Sequence, residues 1–225
     1  MQRIQVQSLC LRSKMFRDRT EAGQLLAKKL AVYADRRDAI VLGLPRGGVP
    51  VAFEIAQELH LPLDILLVRK LGVPGQAELA MGAIAAGGIR ILDQAMIRQL
   101  GITEEELASA IAEEEQELRR REQMYCSSKS RIPLNNLHVI VVDDGIATGS
   151  TMLAAIQVLR SQQPAKIIVA VPVAPPHARQ EIEAPGHEFV CLRVSEYFPA
   201  VGSFYRDFSQ VSDDQVCRLL ALNSQ

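Results

Sequence analysis

The sequence predicts an α/β domain built on a mainly parallel sheet with helices on both faces. Three observations carry this. Short apolar, β-branched runs alternate along the chain with helix-like segments, the order that strand-crossover-strand units require. The strongest run, Val139-Ile140-Val141-Val142, has no polar position, so it suits a strand buried on both faces rather than one half exposed to water. Loops rich in small residues follow the carboxyl ends of two such runs and open helices, which is where open α/β sheets place ligands.

With 225 residues and 48% apolar content the chain can fill one large α/β core or two small ones, and we read 1–225 as a single domain. The net charge of −1 and pI near 6.4 leave no general basic field, which argues against nucleic acid as a partner. Cys10, Cys126, Cys191 and Cys217 are widely spaced, favouring neither zinc nor a disulfide framework. The first sixteen residues lack the apolar core of a signal peptide, and no run of eighteen apolar residues occurs. The expectation is a cytoplasmic protein with no membrane partner.

In chain order, residues 1–15 show no regular pattern. Asp18-Arg19-Thr20-Glu21 precedes a helical run over 22–33, where Leu25, Leu26, Leu30 and Tyr33 share a face. Asp18 and Thr20 read as helix caps ahead of any substrate role. Residues 39–43 read as a buried strand, and 44–50 as a tight turn feeding a helix that ends near Leu59. In that turn Arg46 stands beside Gly47 and Gly48, whose backbone can approach an anion closely. Residues 63–68 read as a second strand with Arg69 and Lys70 at its carboxyl end. Residues 71–78, with two glycines and a proline, read as a mobile loop whose one acid is Glu78. Residues 80–86 and 89–93 are expected to form a hairpin.

Thr103 and Glu106 mark a capping box for a helix reaching about Met124. Leu107, Ile111, Leu118 and Tyr125 form an apolar stripe able to meet a second copy. Its charges, with Glu115 to Arg119 and Glu117 to Arg121 spaced i to i+4, read as a solvated face. Residues 126–136 read as a linker. After the run at 139–142 come a helix to Leu159, a strand over 165–171, a short helix from Pro175-Pro176, a strand over 188–194, and a helix capped by Ser212 that ends near Leu222. Residues 195–208 hold five of the ten Phe and Tyr residues, so Tyr197, Phe198 and Phe204 either stack on a planar base or cover a sheet edge. None of the four histidines is spaced as a ligand or triad member.

The chemistry concentrates at Asp143-Asp144-Gly145-Ile146-Ala147-Thr148-Gly149-Ser150-Thr151. A helix start gathers unpaired N–H groups that can hold a phosphate without a lysine. Two carboxylates at the strand end can accept hydrogen bonds from neighbouring hydroxyls or hold a hydrated Mg²⁺. No Walker A loop or G-x-G-x-x-G is present. The run resembles the phosphoribosyl-pyrophosphate (PRPP) signature of type I phosphoribosyltransferases, and is similar to that of uncharacterised bacterial members.

The resemblance covers residues 36–195 and implies the type I fold, a Rossmann-like core. It also implies a hood built from 1–35 and 196–225, with 103–125 as a helical insertion. The implied reaction moves the 5-phosphoribosyl group of PRPP to a nitrogenous acceptor and releases pyrophosphate, with Mg²⁺ as cofactor. By the same resemblance Asp143 and Asp144 hold the ribose hydroxyls and, through water, the metal. Ala147, Thr148, Gly149, Ser150 and Thr151 anchor the 5-phosphate. Arg46, Gly47, Gly48, Arg69 and Lys70 line the pyrophosphate, around a Pro45–Arg46 peptide that is cis in some members. Residues 71–78 become a closing lid with Glu78 as a proton-transfer or docking group, and the tail aromatics sit where the acceptor is chosen. Enzymes for hypoxanthine or guanine place an acid three residues after the acidic pair. Here that position is Ala147, which disfavours a 6-oxopurine. The expected partners are PRPP, a small-molecule acceptor and a second copy in a homodimer. A PRPP-binding regulator without catalysis, or a phosphosugar hydrolase, could use the same site.

Overall fold

The computed structural model describes residues 15–125, 132–183 and 187–223. Strands β1 (Ala39–Gly43), β2 (Leu63–Ile65), β6 (His138–Val142), β7 (Lys166–Ala174) and β8 (His187–Val194) form an all-parallel sheet in the order β2-β1-β6-β7-β8. A second, antiparallel sheet contains β3 (Val68–Val73), β4 (Gln76–Ala85) and β5 (Ile89–Leu92). Helices α1 (Arg19–Lys29) and α2 (Gly48–Leu59) cover one face of the parallel sheet, and α5 (Ser150–Ser161) covers the other.

The two-residue period of a strand explains why both faces need cover. Ile40, Leu42, Val139, Val141, Ile167 and Val169 point toward Met152, Ile156 and Leu159 of α5. Their alternates Val41, Ile140, Val142, Ile168 and Ala170 point toward Leu26 of α1 and Val51 and Ile55 of α2. A polar residue at any of these positions would be buried without a partner, hence the unbroken apolar run at 139–142.

Local signals set most helix ends. Asp18 caps α1, its side chain accepting from Glu21 N at 2.8 Å. α4 (Glu104–Tyr125) begins with the reciprocal box: Thr103 N donates to Glu106 Oε2 at 2.9 Å, and Glu106 N donates to Thr103 Oγ1 at 3.2 Å. Ser212 caps α7 (Asp213–Leu222), and Asn223 at its far end accepts from Leu63 N on the edge strand β2. α3 (Gln94–Gln99) and α6 (Pro176–Ile182) are the other α-helices among the described residues. Among the described residues no helix is long and apolar enough to cross a membrane.

Two expectations are corrected. The run at 63–68 is not one strand: β2 ends at Ile65, Leu66 and Leu67 are buried at the crossing, and Val68 begins β3 in the second sheet. Arg69 and Lys70 therefore stand within β3, not at the carboxyl end of a parallel strand. Residues 71–78 are not a loop, because β3 and β4 form a hairpin with Val73 opposite Gln76. The two-residue turn is Pro74-Gly75, where Gly75 takes φ +77°, a position that suits glycine while proline pre-sets the residue before it.

The α4 stripe is also used internally. Leu118 is buried, and Leu107, Ile111 and Tyr125 pack with it against the hairpin, α3 and α7. The expected pairs Glu115–Arg119 and Glu117–Arg121 both form, at 3.3 and 2.7 Å. Cys191 and Cys217 are free thiols, while Cys10, Cys126 and most of the linker at 126–136 lie outside the described residues.

Candidate active site

β1 and β6 are neighbours whose ends are in register, Gly43 opposite Val142. The chain leaves β1 toward β2 and leaves β6 toward β7, in opposite directions across the sheet. The crevice between them is thus a topological switch point, the ligand position of open α/β sheets. Leu44 N donates to Val142 O at 2.9 Å, so the two loops emerge side by side.

Their packing is close enough to require glycine. A Cβ on Gly47 would overlap the Asp144 carboxylate, and one on Gly48 would lie 2.5 Å from Val142 O and 2.9 Å from Asp143 Cα. The backbone of the arginine loop therefore rests directly on the acidic pair. The Pro45–Arg46 peptide is cis, as the resemblance implied.

Asp143 Oδ1 accepts from Asp144 N at 2.8 Å. Burial, followed by the neighbouring Asp144 charge, pushes the Asp143 carboxyl well above its ordinary range. Burial also raises Asp144, opposed by the Arg19 guanidinium. Beyond the pair, Gly149 at φ +82° turns the chain into α5. Among the described residues Ser150 N–H reaches only Thr148 Oγ1, at 3.5 Å, while Ala147, Thr148 and Thr151 are exposed. This is an open helix start with donors to spare, fit for a phosphate.

A loop holding an arginine, an acidic pair and a phosphate-type helix start thus meet at one switch point. The phosphoribosyl transferase domain family matches this chain over residues 19–201. The chain belongs to that family. It is 44% identical over 207 residues to the provisionally named phosphoribosyl transferase Rv0571c of Mycobacterium tuberculosis H37Rv, covering 92% of this chain and 46% of that protein. The chain spans about half the length of the curated relatives it matches. It is 41% identical to the TT1426 protein of Thermus thermophilus, whose crystal structure superposes with a TM-score of 0.84 over 92% of this chain and 97% of that one. A hypothetical protein from Neisseria gonorrhoeae, crystallised with bound ppGpp, shares the fold at 13% identity and a TM-score of 0.50, over 92% of this chain and 97% of its own.

Within this phosphoribosyl transferase domain the remaining predicted residues are distributed unevenly. Arg69 Nε is 2.5 Å from Glu114 Oε2 of α4. Together with Lys70, Pro45 and Thr151 they line a cavity of about 720 Å³ between β3 and α4. α4 is therefore a wall of the site region and not only a solvated face. Arg46 lies 3.9 Å from Asp213, which also accepts the Tyr125 hydroxyl. Glu78 falls in β4, and its side chain lies outside the described residues. Of the aromatics, Tyr197 is exposed, Phe198 leans on Phe204 at 5.0 Å, and Phe204 is buried with Phe16 and Tyr205. Phe204 is packing, so it is not free to stack on an acceptor.

Sequence reading missed Arg19, Tyr205 and Phe208. Arg19 Nε and Nη2 both lie 2.8 Å from Asp144 Oδ2, and the Tyr205 hydroxyl donates to Asp144 O at 2.6 Å. Burial, then the Asp144 charge, raises the Tyr205 pKa and keeps it a donor. The aromatic density of 195–208 signalled this segment, but nothing local ties Arg19 to an acid 125 positions away.

The donor set suits Mg²⁺ held jointly with a ligand. Among the described residues no group of three or more His, Cys, Asp or Glu side chains could hold a metal. Two adjacent carboxylates and open space match the habit of Mg²⁺ to take one or two protein carboxylates plus phosphates and waters. The buried charge also predicts a stability effect. Because the folded pKa of Asp143 exceeds its unfolded value of about 3.9, stability is fullest below that value and falls as pH rises through the folded pKa. Asp143→Asn keeps the acceptor for Asp144 N and removes the charge. Thermal melting should show the variant more stable than the wild type at pH 8, with the gain vanishing toward pH 4.

Proposed function

We propose that this domain is a PRPP-dependent phosphoribosyltransferase that joins the 5-phosphoribosyl group to a nitrogenous acceptor and releases pyrophosphate. The observation that carries the proposal is the contact of Gly47 and Gly48 with Asp144 and Asp143, which sets the leaving-group loop against the ribose acids. The transition state builds positive charge on the ribose and negative charge on the departing pyrophosphate. Asp143 and Asp144 take the ribose hydroxyls, and the N–H groups and hydroxyls of residues 147–151 take the 5-phosphate. Arg46, Arg69 and Lys70 meet the leaving charge, with Glu78 as the candidate proton-transfer or loop-docking group. Asp143 and Asp144 would hold Mg²⁺ through water, and the ion would supply neutralisation of the departing negative charge.

Ala147 leaves no acid to serve a purine N7, which supports an acceptor other than a 6-oxopurine. Tyr197 and Phe198 remain acceptor candidates. The homodimer in this proposal uses exposed apolar surface such as Val194 and Val32, since the α4 stripe is spent inside the chain. A cytoplasmic location and a role in nucleotide metabolism follow from the substrate. Calorimetric titration of the chain with PRPP and Mg²⁺ tests the proposal: saturable, Mg²⁺-dependent binding at one site per chain is expected, and its absence overturns it.

A further inference from the structure

Asp144 is gripped from the hood at both its side chain and its backbone. Arg19, the first residue of α1, places Nε and Nη2 on Asp144 Oδ2, while its Nη1 donates to Ser209 O at 2.8 Å. The guanidinium carbon stands 3.9 Å over the Phe208 ring. Phe208 stacks on Tyr205 at 5.0 Å, and the Tyr205 hydroxyl closes the circuit on Asp144 O. The Arg19 and Asp144 side chains are only 12% and 13% exposed, so this is not a screened surface pair. Lysine could not replace this arrangement, because it lacks a planar fork that can bond two partners while stacked on a ring.

Both donors fall on one oxygen. Asp144 Oδ1 bonds no other residue among the described ones. We propose that Arg19 is a positioning residue for the acid pair, turning Oδ2 toward the hood and leaving Oδ1 to the substrate. This rests on the phosphoribosyltransferase reading and extends it: Arg19 ties the segment around Ser209 to the carboxylate that holds the ribose. Arg19 acts through Asp144, and Phe208 acts through Arg19. The alternative is that the guanidinium merely occupies the ribose position until PRPP displaces it, and the two predict opposite signs.

The test is calorimetric titration of PRPP with Mg²⁺ into the wild type, Arg19→Ala, Arg19→Lys and Phe208→Leu, with melting curves confirming that each is folded. Arg19→Ala should weaken binding about tenfold or more, the loss expected for a charge-assisted contact. Arg19→Lys should recover part of the loss, and Phe208→Leu should weaken binding less. Added guanidinium ion should restore affinity to Arg19→Ala, which a purely structural defect would not allow. If Arg19→Ala does not fold, Arg19→Lys and Phe208→Leu carry the same comparison. Unchanged or tighter binding in these variants overturns the inference alone, as does a loss that guanidinium leaves untouched. A wild type that does not bind PRPP overturns the underlying reading and this inference with it.

Discussion

Replacing Asp143 and Asp144 together by asparagine should weaken PRPP binding at least about 100-fold. Each carboxylate offers a charge-assisted hydrogen bond worth about 1.5–3 kcal/mol, so losing two removes about 3–6 kcal/mol. The amides are isosteric and keep the Asp143 Oδ1 to Asp144 N contact possible. The double variant should therefore fold, with relief of buried charge at Asp143 offsetting loss of the Arg19–Asp144 ion pair. Calorimetry and melting on the same sample separate the two effects. Undiminished PRPP affinity in a folded double variant would remove the acid pair from the account.

Gly48→Ala should do the opposite and damage the fold itself. Its new methyl meets Val142 O and Asp143 Cα, both backbone, and Val142 O already accepts from Leu44 N. Neither neighbour can yield without parting β1 from β6, so a cost of about 2–4 kcal/mol is expected, or about 4–16 °C in melting temperature. Gly47→Ala provides the contrast. Its methyl meets the Asp144 carboxylate, a side chain that can rotate away at the expense of its Arg19 pair. Stability should fall less, while PRPP affinity falls with the misplaced acid. A Gly48→Ala protein that melts with the wild type would contradict the close packing of these two loops.

The buried strand at 139–142 was legible because a strand covered on both faces tolerates no polar position. The caps at Asp18, Thr103 and Ser212 were legible because a capping side chain bonds within three residues of itself. The helix start at Ser150 and the acidic pair before it were readable for the same reason, being contiguous in sequence. The change of sheet between Ile65 and Val68 was not readable, since Leu66 and Leu67 are buried at the crossing and leave the apolar run unbroken. Pro74-Gly75 gave a turn, but not the fact that its flanks pair, which is decided by β3 against β4. The packing of residues 196–208 was the least legible part. Phe204 and Phe208 are equally aromatic on paper, yet one is buried and the other lies under Arg19, a difference set by contacts across the whole chain.

The most direct test of the central claim is a product assay. The chain is incubated with PRPP, Mg²⁺ and a panel of nitrogenous bases, and pyrophosphate and consumed base are measured together. The account predicts pyrophosphate release in equal amount to base consumed, for an acceptor that is not a 6-oxopurine. Pyrophosphate without base consumption, or PRPP binding without turnover across the whole panel, would contradict it in favour of a hydrolase or a PRPP-binding regulator.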